Sequence, residues 1–125
     1  MNQPLSGRRV LLVEDEALVA MLLEAVLEDM GCVPVGPAAT VEEGMALGAD
    51  GAPLDAALLD VNVAGQLVFP IAEALKTRGV PFVFSTGYGA AGLSEAWRGH
   101  PTVQKPFTEA TVRNALMQAM GVGNA

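Results

Sequence analysis

Five short apolar runs punctuate the chain, separated by stretches in which apolar residues recur at helical spacing. Residues 9–13, RVLLV, make the first run; the acidic triplet Glu14, Asp15, Glu16 follows, then a stretch with Val19, Leu22, Leu23, Val26, Leu27 and Met30 on one face. That reads as strand, loop and helix, with Gly31 where a left-handed cap is expected. Residues 32–35, CVPV, read as a second strand, and Thr40-Val41-Glu42-Glu43 has the capping-box pattern that opens a helix of about two turns. The third run, 56–59, lies within LDAALLDVN (54–62) and delivers Asp60 at its end. A uniformly apolar run of this length fits a strand covered on both faces, and also a buried helical segment; Pro53 before it and Gly65 after it favour the strand.

After Asn62 the segment VAGQLV reads as a loop. Residues 69–78 read as a helix with Pro70 in its first turn, stopped by Gly79. Residues 80–86, VPFVFST, predict a fourth strand, and 87–101 is rich in Gly and Ala with a weak helical core near 93–98. Residues 102–105 predict a fifth strand, and Thr108 caps a last helix carrying Val112, Leu116 and Met120 before Gly121. Five β–α units predict an α/β fold: a parallel sheet wound with helices on both faces through right-handed crossovers, the fourth helix weak or short.

Length and charge narrow the function. The 125 residues suit one domain, with a core over about 8–121 and no appended output domain. Seven basic against 14 acidic residues give a net charge of −7, which repels nucleic-acid phosphates and anionic membranes and argues against direct DNA binding. The one cysteine, Cys32, reads as a small buried apolar residue and leaves no disulfide or cysteine metal site within the chain. MNQPLSGRR lacks the apolar centre of a signal peptide, and no apolar stretch is long enough to span a bilayer, so a cytoplasmic protein is expected.

The carboxyl ends of the strands carry the candidate chemistry, because ligands of open α/β sheets gather there. Strand one ends at Glu14 and Asp15, strand three at Asp60, strand four at Thr86 and strand five at Lys105. Taken singly, each has a plain structural reading: a solvated acid, a helix-start charge, a strand-end hydroxyl, a surface lysine. Together, three carboxylates repel one another unless protons or a hard cation neutralise them, and an all-oxygen donor set suits Mg²⁺. The ion and Lys105 would balance the three negative charges and leave room for a phosphoryl group. Asp60, the central acid, is then the candidate nucleophile, with Lys105 and Thr86 holding phosphoryl oxygens.

VEDE, LLDVN, FSTGYG and QKPF, in that order and spacing, resemble the receiver domain of bacterial two-component response regulators over Val10 to Met120. The resemblance implies a flavodoxin-like doubly wound five-stranded parallel sheet of order 2-1-3-4-5 with five helices. It implies a phosphoacceptor at Asp60, Mg²⁺ held by Glu14, Asp15, Asp60 and the main-chain carbonyl of Asn62, a switch hydroxyl at Thr86 and a phosphate-binding Lys105. The implied partners are a sensor histidine kinase or histidine phosphotransfer protein and a downstream protein; the chain would catalyse only its own phosphorylation and dephosphorylation. FSTGYG is similar to the signature of the FATGUY group, single-domain receivers typical of alphaproteobacteria that serve as phosphorylation-dependent partners or relay intermediates, with Ser85 where that group usually has alanine.

Three departures from the common pattern stand out. Ala64 occupies the position of a usual proline, Thr102 that of the strand-five switch aromatic, and the fourth helix is Gly-rich. Tyr88 reads either as a loop aromatic or as the replacement switch residue, moving with the glycine-rich segment that follows Thr86. His100 reads as a surface residue. Two rival classes stay open: a degenerate receiver acting as a constitutive interaction module, which the intact acids and lysine oppose, and a Mg²⁺-dependent phosphohydrolase of the haloacid dehalogenase type, in which the nucleophile would follow strand one in a D-x-D pattern.

Overall fold

In the computed structural model, which describes residues 5–49, 53–87, 93 and 95–122, the apolar runs lie side by side as a parallel sheet. Its strands are β1 (Arg9–Val13), β2 (Val33–Ala38), β3 (Ala56–Asp60), β6 (Phe82–Thr86) and β7 (Thr102–Gln104), in the order β2-β1-β3-β6-β7. A separate two-stranded antiparallel hairpin, β4 (Asn62–Val63) and β5 (Gln66–Leu67), follows β3. The five strands of the main sheet reproduce the order 2-1-3-4-5 inferred from the resemblance.

Strand alternation divides the core in two. Leu11, Val13, Ala57, Leu59, Phe82 and Phe84 face α2 (Val41–Ala49) and α3 (Phe69–Arg78). Val10, Leu12, Ala56, Leu58, Val83 and Val103 face α1 (Ala17–Asp29) and α4 (Glu109–Met120). Every residue of β3 and β6 is buried, as expected of central parallel strands with helices on both faces. Among the described residues no helix is long and apolar enough to cross a membrane.

The helix ends follow their sequence signals. Thr40 Oγ1 accepts from the Glu43 N–H at 3.0 Å, and Glu43 Oε1 reaches one residue beyond the usual capping-box partner to accept from Ala39 N–H at 2.7 Å. Pro70 sits in the first turn of α3, and Gly79 closes it at φ 75°. Thr108 caps α4 reciprocally with Thr111. Helix α2 approaches α3 so closely that a Cβ at Gly44 would lie 2.4 Å from Ile71 Cδ1, so this buried helical glycine is retained for packing despite its cost to helix stability.

Four expectations need correction. The second strand, expected over 32–35, runs on through Gly36 and Pro37 to Ala38, because edge strand β2 pairs with β1 as far as Val13 and an edge tolerates proline. Leu22, placed by periodicity on the buried face of α1, is 53 % exposed, as are its neighbours Leu18 and Met21 by larger fractions. The buried stripe is the narrower set Ala20, Leu23 and Leu27, since a helix lying on a sheet covers less than half its circumference. The fourth helix, expected weak or short near 93–98, is among the described residues a single 3-10 turn, Glu95–Trp97. The segment expected as the loop VAGQLV forms, with Asn62, the β4–β5 hairpin. His100 is half-buried: its ring stacks on Phe82 at 4.2 Å between centroids, and its Nε2 lies 2.8 Å from the Phe82 carbonyl.

Candidate functional site

Glu14, Asp60 and Lys105 each stand two residues beyond an apolar residue of the α1/α4 face, namely Leu12, Leu58 and Val103. The alternation that builds the core therefore brings an acid, an acid and a base to the same end of the same face. Lys105 Nζ lies 3.3 Å from Asp60 Oδ2 and 3.5 Å from Glu14 Oε1. One carboxylate oxygen each from Glu14, Asp15 and Asp60 fall within 4.8 Å of one another. Above them opens a cleft of about 440 Å³ lined by residues that include Asp15, Asp60, Asn62, Thr86 and Lys105. All the sequence-proposed residues except Tyr88 are thus gathered at one end of the sheet. Tyr88 lies outside the described residues.

Each side chain is fixed by its local chain. Glu14 is 2 % exposed, and its Oε2 accepts from the Glu16 N–H at 3.0 Å, tying it to the start of α1. Asp60 and Thr86, 7 % and 4 % exposed, end central strands. The Lys105 N–H donates to the Thr86 carbonyl at 2.9 Å, so the lysine backbone is carried by the strand that ends in the threonine. The donor set, three carboxylates with no nitrogen or sulfur, suits a hard divalent cation such as Mg²⁺.

Burial is the largest influence on all three charged groups of the cluster. It raises the Glu14 carboxyl from 4.5 to about 7, with a further upward push from Asp60. It also raises Asp60, against the lowering pull of Lys105. In Lys105 burial acts downward but is outweighed by Asp60 and Glu14, which hold the ammonium above its usual value. Near neutral pH without metal, Glu14 is therefore only partly ionised. A carboxyl raised on folding binds more protons folded than unfolded between its two pKa values, so its contribution to stability falls as pH rises through that window. Thermal melts without metal should accordingly show a loss of stability between pH 4.5 and about 7, and Glu14→Gln should flatten that slope while weakening Mg²⁺ binding. An unchanged slope would place the proton elsewhere.

The hairpin beside the cleft was missed. Its two-residue turn has positive φ at both positions, 50° at Ala64 and 82° at Gly65, but hairpin turns of this kind are usually announced by Asn-Gly or Asp-Gly. The structure also accounts for Ala64 where a proline was usual: proline cannot adopt a positive φ and has no N–H, whereas the Ala64 N–H donates to Asp15 Oδ2 at 3.1 Å. The loop that departs from the common pattern thereby holds one of the clustered acids.

No protein-family model matches the chain. It is 32% identical over 115 residues to the phyllosphere-induced regulator PhyR of Methylorubrum extorquens, a match covering 89% of this chain and 43% of that protein, so the chain spans less than half the length of this curated relative. The solution structure of SdrG from Sphingomonas melonis Fr1 superposes with a TM-score of 0.81 at 41% identity, covering 98% of this chain and all of that one. The response regulator REC domain of PhyR from Erythrobacter litoralis gives 0.80 at 32% identity, covering 96% and 95%. Sheet order, strand-end residues and these relatives agree: the chain belongs to the receiver domains of response regulators, which are regulators and not enzymes.

Proposed function

We propose that this receiver domain is phosphorylated on Asp60 in a Mg²⁺-dependent reaction and signals through the protein contacts that change as a result. The observation that carries the reading is the Lys105 ammonium, 3.3 Å from Asp60 Oδ2 inside a three-carboxylate cluster. A lysine so placed restrains the acid that would carry a phosphoryl group. In the reaction, a carboxylate oxygen of Asp60 attacks phosphorus and forms the acyl phosphate. The bond from phosphorus to the donor breaks, and its electron pair leaves with acetate from acetyl phosphate or with the histidine imidazole, which takes up a proton.

Glu14, Asp15, Asp60 and the main-chain carbonyl of Asn62 would hold Mg²⁺. When bound, the ion supplies the positive charge that offsets the carboxylates and the phosphoryl oxygens. Lys105 would shift from Asp60 to a phosphoryl oxygen, and Thr86 at the rim of the same cleft would donate to another, moving the end of β6 with it. The donor would be a histidine kinase or a histidine phosphotransfer protein in the cytoplasm, and the reader a downstream protein. Tyr88 would then take the place of the aromatic that Thr102 replaces.

Incubation with acetyl phosphate, followed by intact-mass measurement, tests this. One phosphoryl group should be added with Mg²⁺ and none with a chelator. Incorporation that ignores the metal would remove the role given to the carboxylate cluster.

A further inference from the structure

Among the described residues, one buried side-chain polar atom has no hydrogen-bond partner: Ser85 Oγ. The residue is 2 % exposed. A hydroxyl buried without a partner destabilises the fold, and native structures keep few of them. Its position is specific. Ser85 is the register partner of Asp60 across β3 and β6, and it stands two residues beyond Val83 of the α1/α4 face. Strand alternation therefore puts its side chain on the face that carries Asp60, Glu14 and Lys105. It does not line the cleft, and the polar residue at its register position is Asp60. Neighbouring strands are about 4.8 Å apart, so serine and aspartate at paired positions of one face are a side-chain rotation away from a hydrogen bond.

In the resting arrangement Asp60 Oδ2 is engaged by Lys105. We propose that Ser85 is a positioning residue for the phosphoacceptor reaction: its hydroxyl, idle at rest, donates to the Asp60 carboxyl when Lys105 leaves that group for the incoming phosphoryl. The serine then holds the orientation of Asp60 at the moment its ion-pair partner is withdrawn. This rests on the phosphoacceptor reading of Asp60. It also accounts for a polar residue at a position where an alanine would pack at lower cost, since a group unsatisfied in one state and satisfied in another is retained for the second.

Ser85→Ala, which removes only the hydroxyl, separates the two states. The metal-free variant should melt about 3 °C higher than wild type, because the orphan hydroxyl is gone. With saturating Mg²⁺ its maximal rate of phosphorylation by acetyl phosphate should fall about tenfold, with the half-saturating acetyl phosphate concentration unchanged. Ser85→Thr, which keeps the hydroxyl, should recover most of the rate. A lower melting temperature in Ser85→Ala would mean that the hydroxyl is satisfied at rest and would overturn the proposal; so would a wild-type rate in Ser85→Ala, or an alanine-like rate in Ser85→Thr. If wild type incorporates phosphate and Ser85→Ala matches it, the role of the serine alone falls. If wild type incorporates none, the reading of Asp60 falls and takes this one with it.

Discussion

Asp60→Asn is expected to take up no phosphoryl group from acetyl phosphate under conditions in which wild type takes up one. The amide is nearly isosteric with the carboxylate, so the site keeps its shape, but the nucleophilic oxygen and its charge are gone. Lys105 then keeps Glu14 as its one carboxylate partner, at 3.5 Å. Mg²⁺ should bind more weakly to the variant without binding being lost, because Glu14 and Asp15 remain. Intact mass reads the first effect and calorimetry the second. Undiminished incorporation in Asp60→Asn would move the acceptor to Asp15 or Glu14, the remaining acids of the cluster, and with it the assignment of the whole site.

Much of this candidate site was legible because strand alternation is written in the sequence and the resemblance to receiver domains supplied the strand order. Four of the five apolar runs placed the ends of their strands, and the residues at those ends were read directly: Glu14 and Asp15, Asp60, Thr86, Lys105. Features set by tertiary contact were not legible. Leu22 obeys the helical period of α1 yet is exposed, because the period states which residues share a stripe and not how much of that stripe the sheet covers. The second strand stopped too early at the Gly36-Pro37 pair, where local propensity argued for a break and pairing with β1 overrode it. Ala64 gave no sign of a positive φ; its conformation is supported by the turn and by Asp15, which is 49 residues away in sequence.

Ser85 was legible as a departure from the FATGUY-like signature, but its significance was not. That significance comes from an absent hydrogen bond and a register partner, and neither is a property of the sequence alone. His100 was misread for a related reason. A lone histidine beside Pro101 looks like surface, and only the return of that loop toward Phe82 shows the half-buried ring packed against the core aromatics. Burial accordingly lowers its pKa, against the raising influence of its bond to the Phe82 carbonyl.

That loop return points to the largest expected loss of stability, from Phe84→Ala. Phe84 is fully buried and sits at the centre of an aromatic cluster. Its ring meets Phe82 at 5.4 Å, Trp97 at 5.6 Å and Phe69 at 5.8 Å, all edge-on, and lies 5.2 Å from His100. Edge-to-face pairs contribute beyond the area they bury, and the surrounding rings belong to β6, α3, the 3-10 turn and the loop before β7, so no single element can relax into the space left behind. Truncation should cost about 3–5 kcal/mol, a large share of the roughly 5–15 kcal/mol that holds a domain of this kind folded. Urea denaturation followed by Trp97 fluorescence measures it, and the same signal should shift toward that of a more solvated indole, since Trp97 loses one of the rings packed against it. Phe84 stands two residues before Thr86 on the other face from Asp60, so the variant that remains folded should still accept a phosphoryl group. A loss below about 1.5 kcal/mol would mean that the cluster collapses around the gap, and that the loop from the 3-10 turn to β7 is held by His100 and Trp97 without Phe84.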